Sequence, residues 1–257
     1  MKLFVSGGRA GAEQAAREHR VAIIVDALRA SATTSSLLHY GAREIIVVEE
    51  VAAAFAERER HPGSWIAGER GGLAVEGFDR GNSPLQAPEP GLPETIIFSS
   101  SNMSRCCVGA ASCPATFLGT LPTLTACARI ALQAATALGA DVHLVPAGSA
   151  LDENKLVLED YVTAGALIAR MQELSGEAAE PAEDAAHAAL DIQRAAALAG
   201  YVPTFLDTDN GRCLDAELGL GEDVRFAASV DAFTCVPKVA RTYILASGKV
   251  AAVLTSA

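Results

Sequence analysis

Val21-Ala22-Ile23-Ile24-Val25 runs straight into Asp26-Ala27-Leu28-Arg29-Ala30-Ser31, and a helical pattern follows over Ser31–Tyr40 until Gly41. Five apolar residues in a row, with no polar alternation, describe a strand covered on both faces. A strand leading through a short polar turn into a helix is the repeating unit of an α/β protein. The same unit recurs outward from this stretch. Glu44–Val48 predicts a second strand and Glu50–Arg60 an amphipathic helix. Trp65–Ala67 predicts a short third strand, and Thr95–Phe98 a fourth that enters Ser99-Ser100-Ser101-Asn102 and then a helix. Ala115–Leu118 and Val142–Val145 are further strands. Thr123–Leu138, stopped by Gly139, and Leu158–Leu174 are helices. Ser175–Glu183 reads as a surface loop or linker, and Asp184–Ala199 as another helix. Beyond Tyr201, Tyr243–Ala246 and Val250–Leu254 read as paired edge strands. The expected fold is α/β, with a mostly parallel or mixed sheet and helices on both faces. A single domain over 1–257 is expected, with a division into two subdomains near 175–183 as the alternative.

Composition narrows the function. Of 257 residues, 50% are hydrophobic and 20% charged, the balance of a globular chain. The net charge of −11 comes without a basic run, which excludes a nucleic-acid surface built on clustered Lys and Arg. Sixteen of the 20 basic residues are Arg, and a local basic pocket for a small anion remains compatible with the acidic whole. Met1 to Gly8 carries one Lys and a short apolar stretch, Leu3 to Val5, so no signal peptide is expected there. The apolar runs are too short to span a bilayer. Six cysteines lack CxxC spacing, so free thiols in a reducing cytoplasm are expected rather than a disulfide frame or zinc site. The oligomeric state stays open between monomer and homodimer.

In an open α/β sheet, ligands gather beyond the carboxyl ends of the strands. Asp26 and Arg29, three residues apart after the first predicted strand, suit a metal and a phosphate held together; the alternative is that Asp26 or Ser31 only caps the helix. Ser99 to Ser104 and Arg105 offer hydroxyls, backbone N–H groups and charge at a helix start, an anion site by composition. Residues 68–84 hold five glycines, the acids Glu69, Glu76 and Asp79, Arg70 and Arg80, and Asn82 with Ser83. Glycines allow close backbone approach, and mixed charges can balance a cation beside an oxyanion. Asp160 adds a carboxylate at the start of a helix. Mg²⁺ takes a few carboxylates plus water and substrate oxygens, and Asp26, Glu69, Glu76, Asp79 and Asp160 supply candidates.

Other chemistries fit less well. The histidines are scattered, and position 28 is Leu, so a DxD phosphatase motif at Asp26 is absent. Cys235-Val236-Pro237-Lys238-Val239-Ala240-Arg241-Thr242 matches C-x5-R-[ST], yet it lacks the glycines a phosphate loop uses to reach positive φ.

Taken together these segments resemble the 2-phosphosulfolactate phosphatases of coenzyme M biosynthesis. The matching pieces are Val25-Asp26-Ala27-Leu28-Arg29-Ala30, Gly68-Glu69-Arg70-Gly71-Gly72, Glu76-Gly77-Phe78-Asp79 with Gly81-Asn82-Ser83-Pro84, Ser101-Asn102, Ala147-Gly148, Leu158-Glu159-Asp160 with Ala164-Gly165, and Val230-Asp231 with Phe233. The resemblance implies a Mg²⁺-dependent phosphatase that converts 2-phospho-3-sulfolactate to 3-sulfolactate and phosphate, on an α/β fold distinct from the common phosphatase folds. The chain departs from the family pattern at Met103, where Gly is usual, at Val157, where Ser is usual, and along the loop 150–156. Residue chemistry then assigns the metal to some of Asp26, Glu69 and Asp160. Arg29, Arg70, Arg105, Asn82, Ser83 and the Ser100–Ser101–Asn102 turn take the substrate. Glu76 or Asp79 is the general base, with Asp26 also part of the catalytic set. A cysteine phosphatase using Cys235 is one rival reading. A non-catalytic binder of an anionic metabolite, with Met103 crowding the phosphate, is the other.

Overall fold

A computed structural model of the chain describes residues 1–88, 90–152 and 155–257; Glu153 and Asn154, within the loop 150–156, lie outside the described residues. Among these the strands are β1 (Lys2–Val5), β2 (Val21–Val25), β3 (Glu44–Val47), β4 (Trp65–Gly68), β5 (Thr95–Ser99), β6 (Thr116–Leu118), β7 (Val142–Pro146), β8 (Glu180–Pro181), β9 (Pro237–Ile244) and β10 (Val250–Ser256). The helices are α1 (Gly8–Arg17), α2 (Ala30–His39), α3 (Val51–Arg60), α4 (Met103–Gly109), α5 (Leu124–Leu138), α6 (Leu158–Ser175), α7 (Asp184–Ala199), α8 (Tyr201–Leu206), α9 (Asp209–Arg212) and α10 (Gly221–Ala227). One mixed sheet runs β4-β5-β3-β10-β9-β6-β2-β7-β1-β8.

Burial explains the strands. All five residues of β2 are buried, as an uninterrupted apolar run requires. One face of the sheet packs on α5, α6 and α7, with Leu124, Leu167 and Leu190 in the core. The other packs on α1, α2 and α4, with Ala12, Leu37 and Cys107. Gly165 shows how close the helices come: a Cβ there would lie 2.0 Å from Ala189 O of α7.

Several elements differ from the sequence expectation. β1 and α1 precede the strand that reads as first; Leu3-Phe4-Val5 was the only trace of β1. The 175–183 segment is not an open tether, because β8 pairs with β1 and Ala182 N donates to Leu3 O. The C-terminal strands pair as expected but are not at an edge. β10 pairs with β3 and β9 with β6, so the hairpin fills the centre of the sheet. Ala251–Leu254 is fully buried there. The outer half of β9 stays exposed at Arg241 and Thr242, and this gives the segment its edge-like pattern.

The hairpin also reverses the sense of the sheet. Three antiparallel steps separate β3 from β6, so β4-β5-β3 and β6-β2-β7-β1-β8 are two parallel sets of opposite direction. The segments that follow β2 and β5 nevertheless meet, with Met103 N donating to Asp26 Oδ2 at 3.1 Å.

His143, in the middle of β7, is wholly buried and stacks on Phe4. Arg20 donates to Nδ1, so Nε2 carries the proton and donates to Ser6 Oγ at 2.7 Å. Burial first, then the Arg20 charge, lowers its pKa to about 4. The unfolded chain takes up a proton below about 6.5 while the native ring stays neutral, so acid favours unfolding. This residue should remove roughly 3 kcal/mol of stability between about pH 6.5 and pH 4. His143→Gln should flatten that limb of a Tm–pH curve, and an unchanged limb would show that the ring titrates normally.

Candidate active site

The loops that follow β2, β3, β4, β5 and β7 enclose a cavity of about 640 Å³. Asp26 ends β2 and is 7% exposed. Its Oδ1 accepts from Ala30 N at 3.3 Å and its Oδ2 from Met103 N at 3.1 Å, while its own N–H donates to Ser31 Oγ. Asp26 therefore ties the starts of α2 and α4 together, as a cap does, and it also lines the cavity. Glu69 does the same after β4, accepting from Ser101 N at 2.7 Å and Gly72 N at 2.9 Å. Gly68 makes this approach feasible. It sits at φ +139°, and a Cβ there would lie 2.0 Å from Ser99 O of β5.

The electrostatics are unusual for a protein interior. Burial, and next the negative charge of Glu69, raise the pKa of Asp26 to about 7. Asp160 is held well above the usual carboxylate range by burial, then by Asp26 and Glu159. Glu159 is raised by burial as well, against the hydrogen bond it accepts from Asn210 Nδ2. On the cavity wall Glu49 is paired with Arg9 and Glu50 with Lys249, while Asp26 and Glu69 take hydrogen bonds from backbone N–H groups.

The structure gathers Asp26, Glu69, Arg29, Arg70, Asn82, Ser101, Asn102 and Arg105 around the cavity. It does not gather the rest. Asp160 is behind the wall, where its two oxygens hold Ala27 N and Gly148 N. Among the described residues no three His, Cys, Asp or Glu side chains form a ready metal cage. Asp160 turns both oxygens to backbone donors behind the wall, whereas Asp26 and Glu69 take one backbone N–H on each oxygen and still line the cavity. Glu76 is exposed and away from the cavity. Asp79 accepts from Ile66 N at 2.8 Å and pairs with Arg58, so it staples its loop to β4. Neither lines the cavity. Ser83 donates to Asp223, and Ser100 is buried against Ser104.

Two further expectations change character. Three of the backbone donors expected to cradle a phosphate are already engaged: Ser100 N with Ser104 Oγ, Ser101 N with Glu69, and Met103 N with Asp26. Arg70 gives its guanidinium to protein oxygens, Nη1 to Glu69 O and Ser99 O, Nη2 to Glu49 O and Ser99 Oγ. It clamps the loops after β3, β4 and β5 rather than presenting its fork to a ligand.

The residues behind both rival readings, Cys235 and Met103, do not line the cavity. Cys235 donates to Ser256 Oγ, burial raises its thiol pKa, and Pro237 to Ile244 form β9, whose backbone is committed to the sheet. All six cysteines are free thiols. Met103 is fully buried in the core among residues of α4 and β5, so its side chain does not crowd the cavity.

The sequence reading missed Glu49 and Glu50 after β3, and the wall contributed by Asn210, Cys213, Leu214 and Leu218. The strand-end rule that found Asp26 applies equally to Glu49. No local signal marks the 210–218 wall.

Comparison with known proteins agrees with the motifs. A family model described as 2-phosphosulpholactate phosphatase matches residues 10–242. A "Probable 2-phosphosulfolactate phosphatase" of Caldanaerobacter subterraneus subsp. tengcongensis is 31% identical over 228 residues, 84% of this chain and 86% of its own. Relatives with the same name occur in Carboxydothermus hydrogenoformans, 31% identical over 86% of this chain and 87% of that one, and in Thermus thermophilus, 31% identical over 84% and 86%. With matches that run through β2, the Gly68–Gly72 turn and the β5 loop that together enclose the cavity, the chain belongs to the 2-phosphosulpholactate phosphatase family, a family of phosphoric monoester hydrolases.

Proposed function

We propose that the protein is a cytoplasmic, Mg²⁺-dependent phosphatase that hydrolyses 2-phospho-3-sulfolactate, or a closely related small anionic phosphomonoester, to the alcohol and inorganic phosphate. The cavity wall carries the argument. Asp26 and Glu69 set two carboxylates, each hydrogen-bonded by backbone N–H groups, on the wall where a polyanion would bind, and Asp26 is pushed up to about 7 because burial and Glu69 oppose its charge. A divalent cation relieves both conflicts.

The residues present fit Mg²⁺. That ion needs only one or two carboxylates, the remaining positions going to water and substrate oxygens. Asp26 and Glu69 provide the carboxylates, each oxygen keeping a lone pair beyond its backbone bond. Asn82 is 4% exposed and its Oδ1 has no hydrogen-bond partner, so a buried carbonyl oxygen on the same wall is left without a donor. When bound, Mg²⁺ would draw charge from the phosphate oxygens as a Lewis acid.

The chain's own groups supply the rest. Arg29 commits two of its five N–H donors, to Asp223 and Gly72 O, and directs its remaining charge at the substrate's anionic groups. Arg105 is a further positive group on the wall, beside Arg29 and Arg70. Glu49, held by Arg9 at 3.3 Å, is the cavity carboxylate assigned to take the proton of the attacking water. Water forms the new P–O bond, the P–O bond to the substrate's carbon-linked oxygen breaks, and the proton that Glu49 takes from the water is returned to that oxygen. Preorganised charge does most of this work.

Phosphate release from 2-phospho-3-sulfolactate, with EDTA and with Mg²⁺ restored, tests the reading. Release should fall at least about 100-fold in EDTA and return with Mg²⁺. Metal-free turnover lost in Cys235→Ser would instead support cysteine chemistry, and binding without turnover a non-catalytic role. No helix of the described residues is long and apolar enough to cross a membrane.

A further inference from the structure

Asp223, in α10, is outside the cavity wall, yet its carboxylate meets two segments that build the wall. Arg29 Nη1 donates to Oδ2 at 2.6 Å, and Ser83 Oγ donates to Oδ1 at 2.6 Å. Both members of the ion pair are almost fully buried, at 3% exposure each. The chain of contacts continues. Arg29 Nη2 donates to Gly72 O at 2.6 Å, Gly72 N donates to Glu69 Oε2 at 2.9 Å, and Glu69 Oε1 accepts from Ser101 N at 2.7 Å. A line of short bonds, most of them charge-assisted, thus joins a C-terminal helix to a carboxylate of the cavity.

We propose that Asp223 is a positioning residue of this site. It orients Arg29 toward a bound oxyanion and, through Gly72, sets the place of Glu69. The inference rests on reading the cavity as the phosphatase site. Its basis is orientation. A free guanidinium on a flexible stem would have to be ordered by the ligand, at the expense of affinity. Asp223 orders it in advance, and Ser83 anchors the carboxylate from its other oxygen. Groups that hold a binding residue from behind commonly change affinity or activity by about 10–100-fold when removed.

Asp223→Asn keeps the shape and an acceptor for Ser83 but removes the charge facing Arg29. The wild type, Asp223→Asn, Arg29→Lys and the double variant are compared by kcat/KM for phosphate release and by calorimetric Kd for inorganic phosphate in the presence of Mg²⁺. Each single change should lower kcat/KM by about 10–100-fold and weaken phosphate binding in parallel. The double variant should be no worse than its worse parent, because both act through one guanidinium. Wild-type phosphate affinity in Asp223→Asn, or losses that multiply in the double variant, would overturn the proposal; a purely structural residue would lower Tm and leave Kd alone. Should Asp223→Asn fail to melt cooperatively, Ser83→Ala removes the other anchor and leaves the ion pair intact. Weaker phosphate binding there supports the positioning role, and unchanged binding overturns it. A wild type that releases no phosphate defeats the phosphatase reading alone, because the calorimetric arm still decides Asp223.

Discussion

Asp26→Asn is expected to lower kcat/KM by about 10²–10³-fold, roughly 3–4 kcal/mol at ~1.4 kcal/mol per tenfold, while the protein remains folded. The variant keeps one amide oxygen for Ala30 N or Met103 N but turns an –NH₂ toward the other. One buried backbone donor loses its acceptor, at a cost of about 1–3 kcal/mol. Against this, a carboxylate that burial and Glu69 both oppose is gone. The sign of the pH effect follows. The native pKa, about 7, is above the ordinary 3.8, so the native state holds this proton longer than the unfolded chain. The contribution to stability is present below about pH 4 and is lost as pH rises toward 7. The variant lacks that loss. In metal-free buffer it should gain roughly 3 kcal/mol relative to wild type between about pH 5 and pH 8, and added Mg²⁺ should stabilise only the wild type strongly. Thermal melts across pH measure this. Parallel curves, or near-wild-type turnover, would remove Asp26 from the site.

Arg70→Lys should be costly in a different way. The guanidinium bridges Glu49 O, Glu69 O, Ser99 O and Ser99 Oγ at 2.6–3.1 Å from two separate nitrogens. A single ammonium cannot span these acceptors. Two lost bonds at about 1 kcal/mol each, with carbonyls left short of donors, predict a destabilisation of about 2–4 kcal/mol, or a Tm lower by roughly 5–12 °C. The loops carrying Glu49, Glu69 and Ser101 then loosen together, and kcat/KM should fall about tenfold or more. Because Arg70 grips the protein and not the ligand, the loss should be equal for a sulfonated substrate and a simple phosphomonoester. A larger loss on the sulfonated substrate would show that Arg70 touches the second anion.

Much of the site was readable because strand ends are marked locally. Asp26 follows Val21–Val25, and Gly68-Glu69 follows Trp65–Ala67, so an apolar run that stops at an acid places that acid at a carboxyl end. The same local reading points to Asp79 and Glu76, which the structure leaves off the cavity wall. Their motif is local, but whether Asp79 faces a ligand or staples Ile66 N depends on how a 17-residue loop folds back. Glu49 obeys the rule and was passed over. Asp223 and Asn210 obey none, since they reach the site from 194 residues beyond Arg29 and 51 beyond Glu159.

Periodicity and turn residues in the sequence alone determined that this is an α/β protein, where most strands and helices lie, and which loops are rich in anion and cation ligands. These properties depend on neighbours a few residues apart. Tertiary structure alone decided that the C-terminal hairpin enters the centre of the sheet and gives its two halves opposite strand directions. It also decided that the serine-loop donors are spent on Asp26 and Glu69, that Arg70 is a clamp, and that Asp160 is behind the wall. Each of these outcomes is a competition for one partner among groups far apart in sequence, settled by burial: a buried N–H or carboxylate must find its complement wherever the fold brings one.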